Sequence, residues 1–271
     1  MSVGIDPASP PGQVIRDGIA PGSGARAGLA GPLARWTRLA EDEILGLCRV
    51  VAPGAVCVDV GANYGLYTHA LSWVVGRAGR VHGIEPLPGP FRTLAASAAM
   101  LGAGNVRPHR VALGARTAPG VLSVPVRRGL PVHGRAFLTT GASGHGPNVE
   151  FAAARAVTVD VITLDEWCER EEVSRVDFLK VDVEGAEFAV LAGGATTLTV
   201  HRPTLLLEIE ERHTRKYGHD PAEVVRWLAA RGYGMHRWLD RGWRTVSQLS
   251  DATRNYLFVH GSRTGPPGPL R

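Results

Sequence analysis

Short apolar runs alternate with amphipathic segments of helical length through the middle of the chain. The apolar runs predict strands at 56–60, 80–84, 106–113, 177–183 and 203–209. The segments between them predict helices at 66–75, 91–100 and 186–191. This alternation is typical of an α/β fold with a doubly wound, mostly parallel sheet and helices on both faces. In such a sheet, ligands bind beyond the carboxyl ends of the strands.

The two ends of this region have their own patterns. Residues 36–51 predict an amphipathic helix that buries Leu39, Ile44, Leu47 and Val51. Residues 221–231 predict a helix that begins at Pro221. Strands predicted at 233–238 and 255–259 follow it, and we expect them to form an antiparallel C-terminal hairpin.

Three segments interrupt the alternation or lie outside it. Residues 1–32 are rich in Gly, Pro and Ala and predict a flexible N-terminal tail, or alternatively a lid that orders over a ligand. Residues 33–260 form the predicted domain, and 261–271 predict a disordered C-terminal tail. Within the domain, 115–157 is a long excursion that contains the strand-like sequence VLSVPV and the start of the strand-like sequence AVTVDV. Long excursions are often functional loops, although a plain hairpin is the alternative.

Composition narrows the class of protein. The formal net charge is +5, but the basic residues are scattered, so we expect no nucleic-acid partner. The sequence has no apolar stretch long enough to span a membrane and no recognisable secretory signal, so we expect a cytoplasmic protein. The three cysteines form no CxxC pair. Lysine occurs only at Lys180 and Lys216, and arginine supplies the other basic residues.

The sequence VDVGANYGLYT contains the first candidate ligand site. Gly61 and Gly65 permit a sharp turn and a close backbone approach to a ligand, and Asn63 between them tolerates a positive φ. A dinucleotide site would favour GxGxxG, but the middle glycine is missing here. The alternative ligand is S-adenosylmethionine. Glu85, at the end of the next strand, is placed to accept hydrogen bonds from both ribose hydroxyls.

Three sequence motifs resemble the FkbM family of S-adenosylmethionine-dependent methyltransferases. They are PGAVCVDVGANYGLYT, IEPLP at 84–88 and, most specifically, FLKVDVEGAEFAVLAGG at 178–194. The closing NYLFVH at 255–260 is also similar to that family, so the resemblance covers about 52–260 and is weakest in the excursion.

The resemblance implies a Rossmann-like class I methyltransferase fold and an O-methyltransferase activity. The acceptor would be a hydroxylated small molecule, such as a natural product or a sugar, and we expect the excursion to lie near its pocket. The resemblance and the glycine turn together assign cofactor binding to Asp59, Gly61, Ala62, Asn63, Gly65, Glu85, Pro86 and Ala112. Methylation of an amine and a non-catalytic, cofactor-binding scaffold are the alternatives, and the sequence predicts no oligomeric state.

Methyl transfer to a hydroxyl needs a group that positions the oxygen and removes its proton. Because side chains alternate along a strand, Lys180 and Asp182 share a face at the carboxyl end of the fourth predicted strand. The predicted catalytic residues are Asp182, Lys180, Glu184, Glu208 and His213. We expect no metal here, with the carboxylates acting as base and acceptor-orienting groups. The alternative is a Mg²⁺ ion bound by Asp182 and Glu208.

Overall fold

The computed structural model describes residues 42–144, 146–218 and 220–263. The predicted N-terminal tail, the start of the predicted helix at 36–51 with Leu39, and residues 264–271 lie outside this part of the chain. Among the described residues, no helix is both long enough and apolar enough to cross a membrane.

The main sheet has eight strands in the order β12-β11-β13-β10-β9-β1-β2-β3. These strands are β1 (Val56–Val60), β2 (Arg80–Ile84), β3 (Val106–His109), β9 (Phe178–Val181), β10 (Thr204–Glu208), β11 (Tyr233–Leu239), β12 (Gly242–Thr245) and β13 (Asn255–His260). The five strands from β10 to β3 run parallel to one another. Strand β13 pairs antiparallel with β10 and β11, and β11 pairs antiparallel with β12. The predicted doubly wound sheet with an antiparallel C-terminal end is confirmed.

The described helices are α1 (Leu66–Val75), α2 (Pro88–Met100), α3 (Leu164–Arg170), α4 (Glu187–Ala192), α5 (Ala195–Val200), α6 (Glu211–Thr214) and α7 (Pro221–Ala229). Successive strand residues point to opposite faces of the sheet, so each strand contributes to two cores. In β9, Phe178 packs with α1 on one face, and Leu179 packs with α3, α4, α5 and α7 on the other. Helices therefore cover both faces, as the alternating pattern predicted.

The excursion folds as a second sheet. Strands β5 (Ala118–Arg127) and β8 (Ala153–Ile162) pair antiparallel along their length. The short strands β4 (Ala112–Leu113), β6 (Leu130–Pro131) and β7 (Phe137–Leu138) complete it. Its own apolar core contains Leu122, Val124 and Val159.

Several predicted boundaries are wrong. The strand predicted at 106–113 is two strands, β3 and β4, which belong to different sheets. The described part of the predicted N-terminal helix is a 3₁₀ helix, Asp42–Arg49, although Ile44, Leu47 and Val51 are buried as expected. The predicted disordered tail begins with a 3₁₀ turn, Gly261–Arg263, in which Arg263 donates a hydrogen bond to the carbonyl of His201. Helices α3, α5 and α6 were not predicted.

Candidate active site

The turn after β1 has the backbone conformation that its sequence predicts. Gly61, Asn63 and Gly65 have φ values of 79°, 49° and 93°. A Cβ atom on Gly61 would lie 1.9 Å from the carbonyl oxygen of Asp182, and one on Gly65 would lie 2.5 Å from Leu94 Cδ1. Glycine at these two positions therefore lets the turn pack closely against the end of β9 and against α2.

Glu85 organises this turn from the end of β2. Its Oε2 accepts a hydrogen bond from the backbone N–H of Asn63 at 2.9 Å, and its Oε1 accepts one from Leu87 at 2.8 Å. Burial outweighs these two bonds and raises the pKa of Glu85 to about 7. Each carboxylate oxygen has a second lone pair, so the side chain can accept further bonds from a ligand.

Lys180 is buried between two aspartates. Its Nζ donates a hydrogen bond to Asp182 Oδ2 at 2.9 Å and lies 3.9 Å from Asp59 Oδ1. Nζ also lies 4.4 Å from the centre of the Tyr67 ring. Burial alone would lower the pKa of Lys180, but Asp182 and Asp59 outweigh it and hold the pKa above its usual range. The two aspartates therefore favour the charged form of Lys180.

Asp182 and Glu208 form a carboxyl pair at the ends of β9 and β10. Burial would raise the pKa of Asp182, but Lys180 and a hydrogen bond with Glu208 hold it below its usual range. For Glu208, burial and the Asp182 carboxylate act together and raise the pKa to about 10. The pair therefore carries one proton near neutral pH, held by Glu208, while Asp182 stays ionised.

Glu184 and His213 meet beside this pair. Glu184 has a φ of 57°, a left-handed conformation that is uncommon for a glutamate. Its Oε2 lies 2.6 Å from His213 Nδ1, and His213 Nε2 lies 3.4 Å from Glu210 Oε2. His213 is buried, and Arg212 and Arg254 both contact the carboxylate of Glu210.

Glu187 was not among the predicted site residues, yet it shapes the loop that carries Glu184. Its Oε1 accepts hydrogen bonds from the backbone N–H groups of Val183 and Gly185, both at 3.0 Å. A carboxylate at the first position of α4 also interacts favourably with the helix dipole. Its sequence signal was the spacing EGAE, which places a carboxylate three residues after Glu184 at the start of a helix.

One cavity of about 270 Å³ brings most of the predicted residues together. Of the predicted residues, it is lined by Gly61, Asn63, Glu85, Pro86, Ala112, Asp182, Glu184, Glu208 and His213. The remaining four, Asp59, Ala62, Gly65 and Lys180, are buried but do not line it. In the structure, Asp59 accepts a hydrogen bond from Thr68 Oγ1 at 2.6 Å and lies behind Lys180. Asp59 therefore contacts Lys180 and Thr68 and does not face the cavity.

The excursion supplies the wall of the cavity opposite the strand ends. Six of its residues line the cavity, namely Leu122, His133, Gly134, Arg135, Ala136 and Leu138. His133 Nδ1 lies 2.8 Å from the hydroxyl of Tyr64 in the glycine turn, and the Tyr217 hydroxyl donates to the Leu138 carbonyl at 2.7 Å. The excursion is therefore attached both to the glycine turn and to the segment that follows α6. These contacts join segments far apart in sequence, and no local pattern predicted them.

Comparison with protein families gives one assignment. The sequence profile described as "Methyltransferase FkbM domain" matches residues 59–235. This range includes the end of β1, the glycine turn, the carboxyl pair and the excursion.

The individual proteins to which the chain is similar match it either over a short segment or at low sequence identity. A 46-residue segment is 41% identical to the 2-O-methyltransferase NoeI of Sinorhizobium fredii and covers 17% of this chain and 19% of that protein. A methyltransferase FkbM structure from Methylobacillus flagellatus is 18% identical, with a TM-score of 0.47, over 88% of this chain and 60% of that one. The O-methyltransferase TomG of Streptomyces achromogenes is 12% identical, with a TM-score of 0.46, over 92% of both chains.

The substitution Lys180→Met tests the buried charge cluster. It preserves the length of the side chain but leaves Asp59 buried without its cation, so we expect unfolding to become easier by about 3–5 kcal/mol. Burial already raises the pKa of Asp59, and loss of Lys180 raises it further. The difference from wild type should therefore be smallest at low pH, where Asp59 is protonated, and should grow as the pH rises. Denaturant unfolding at several pH values measures it, and a pH-independent difference below about 1 kcal/mol would contradict the cluster's role.

Proposed function

Because the chain belongs to the FkbM methyltransferase family, we propose that it transfers a methyl group from S-adenosylmethionine to a hydroxyl oxygen of a small molecule. The observation that carries this proposal is the single cavity in which the glycine turn and Glu85 face the carboxyl pair of Asp182 and Glu208. The residues proposed to bind the cofactor and the group proposed to accept the proton therefore line the same cavity. The name of the relative NoeI, a 2-O-methyltransferase, also supports transfer to oxygen.

S-adenosylmethionine would bind in the part of the cavity that is lined by the glycine turn and Glu85. Gly61 and Asn63 of the glycine turn line the cavity, and Glu85 offers lone pairs on both carboxylate oxygens to the two ribose hydroxyls. Pro86 and Ala112 add apolar surface beside them. When bound, S-adenosylmethionine supplies a methyl group that is already activated by its positive sulfur, so the protein's main task is to place the acceptor.

Asp182 is placed to perform that task. Its side chain is 34% exposed toward the cavity while Lys180 holds it ionised from behind. In the proposed step, the acceptor hydroxyl donates to Asp182, the oxygen forms a bond to the methyl carbon as the carbon–sulfur bond breaks, and the hydroxyl proton passes to Asp182. The products are a methyl ether and S-adenosylhomocysteine. Glu208 orients Asp182 through their shared hydrogen bond.

The charge of the pair favours a hydroxyl over an amine acceptor. Asp182 and Glu208 together carry about one negative charge, and the neighbouring Lys180 is shared between Asp182 and the buried Asp59. An ammonium acceptor would be better bound by two ionised carboxylates without a buried cation beside them. A neutral hydroxyl needs only one ionised acceptor for its proton. The excursion forms the rest of the acceptor wall and would set which hydroxylated compound enters.

Cofactor affinity should depend on Glu85 and on its ionisation. Because each charge-assisted hydrogen bond contributes about 1.5–3 kcal/mol, Glu85→Ala should weaken binding of S-adenosylhomocysteine at least about tenfold at pH 8. Wild-type affinity should rise with pH through about 7, where Glu85 ionises, and this rise should disappear in the variant. Isothermal titration calorimetry measures both effects, with the exposed Glu169→Ala as control. Unchanged affinity in Glu85→Ala would remove Glu85 from the cofactor site.

Methyl transfer should depend on the charge of Asp182. The substitution Asp182→Asn keeps the shape but removes the proton acceptor, which is typically worth 10²–10⁴-fold in rate, so turnover should fall by about two orders of magnitude. Affinity for S-adenosylhomocysteine should change little. The assay follows labelled methyl into a panel of hydroxylated and amino compounds, with mass spectrometry of the product. A folded, cofactor-binding Asp182→Asn protein with near wild-type turnover would show that another group accepts the proton, and a methylated amine would overturn oxygen as the target.

A further inference from the structure

Three side chains with metal-binding atoms converge on one point of the cavity wall. One carboxylate oxygen each from Glu184 and Glu208 and one ring nitrogen of His213 all lie within 4.8 Å of one another. All three side chains line the cavity. Ligands of a divalent ion at about 2.0–2.2 Å lie roughly 3–4 Å apart, so small side-chain rotations would bring these atoms into coordination.

The backbone holds two of these side chains together. A Cβ atom on Gly185 would lie 2.3 Å from the carbonyl oxygen of His213, so the loop after β9 packs directly against α6. Glu184 is kept at its left-handed φ of 57° beside this contact, and the hydrogen bonds to Glu187 fix the loop on both sides of it. Non-glycine residues in this conformation cost free energy and often occur at ligand-binding sites.

The surroundings of His213 match those of a metal-binding histidine. Its side chain is only 4% exposed, and neither ring nitrogen makes a hydrogen bond of good geometry with the described residues. Nε2 lies 3.4 Å from Glu210, which favours a proton on that nitrogen and leaves the Nδ1 lone pair facing Glu184 Oε2 at 2.6 Å. Two electron-rich atoms this close need a proton between them, and they would have to separate to about 3 Å to share a metal ion. A carboxylate behind a histidine is the usual arrangement that orients it toward a metal.

We propose that Glu184, Glu208 and His213 bind a divalent transition-metal ion, which would displace the proton that Glu208 holds in the absence of metal. The imidazole ligand suits Mn²⁺ or Zn²⁺ better than Mg²⁺, which prefers oxygen ligands only. This ligand set differs from the Asp182–Glu208 alternative drawn from sequence, and it departs from the expectation of a metal-free site. Three protein ligands leave coordination positions open toward the cavity. If the proposed function holds, an acceptor hydroxyl at such a position would lose its proton to Asp182 more easily.

The competing interaction is a simple ion pair. A protonated His213 would satisfy Glu184 and Glu210 without a metal, and Arg254 Nη1 lies 3.7 Å from Glu208 Oε1. These two possibilities make opposite predictions for metal binding, so a titration separates them.

The test is a titration of tag-free protein with Mn²⁺, in which electron paramagnetic resonance reports the free ion. We expect one Mn²⁺ per chain, displaced more effectively by Zn²⁺ than by Mg²⁺ because of the nitrogen ligand. Glu208→Gln and His213→Gln each remove a ligand and should weaken Mn²⁺ binding by at least about 100-fold. Glu210→Gln removes only the carboxylate behind His213 and should weaken it by about 10–100-fold.

Glu211→Gln is the matched control, because Glu211 is exposed beside His213 on α6 and pairs with Arg215. It should bind Mn²⁺ like wild type. The proposed metal site would be overturned by any of three results. These are no Mn²⁺ binding to wild type, a loss of Mn²⁺ affinity in Glu211→Gln as large as that in the ligand variants, or full Mn²⁺ binding in both Glu208→Gln and His213→Gln. S-adenosylhomocysteine binding is measured on the same samples without metal. If wild type does not bind S-adenosylhomocysteine, the proposed function is contradicted. If wild type binds S-adenosylhomocysteine but not Mn²⁺, only the metal site is contradicted.

Discussion

The active-site region depends on one buried cation between two aspartates. Strands β1 and β9 are neighbours, and their register places Asp59 opposite Lys180. Lys180 therefore reaches Asp59 on one side and Asp182 on the other, and it fixes the charge state of the carboxylate that faces the cavity. Without it, Asp59 would be a buried, uncompensated charge, and Asp182 would compete with Glu208 for the proton they share. Through Lys180, the carboxylate of Asp182 thus interacts with Asp59 on β1, the strand that precedes the glycine turn.

Close backbone contacts extend this coupling to the neighbouring loops. Gly61 packs on the Asp182 carbonyl, and Gly185 packs on the His213 carbonyl, so the ends of β1, β9 and β10 are held against one another without intervening side chains. Two carboxylates, Glu85 and Glu187, then accept the backbone N–H groups of the turns beside them. The arrangement positions polar side chains before any ligand binds, which reduces the reorganisation needed for catalysis.

Sequence patterns predicted the parts of this structure that are governed locally. The bounds of β1, α1 and β2 match their predictions, because each is a strongly patterned run that ends before a glycine or an acidic residue. The left-handed turn at Asn63 and the pairing of Lys180 with Asp182 also follow from residue type and strand alternation. The division of 106–113 between two sheets, and the meeting of Glu184 with His213, depend on contacts between distant segments. Such contacts leave no periodic signal in one sequence.

A crystal structure with S-adenosylhomocysteine bound tests most directly that the glycine turn, Glu85 and the carboxyl pair form a single methyl-transfer site. The account predicts the ligand in the cavity of about 270 Å³, with both ribose hydroxyls within hydrogen-bonding distance of Glu85 and the sulfur atom directed toward Asp182. A ligand bound outside this cavity, or with its sulfur directed away from Asp182 and Glu208, would contradict it.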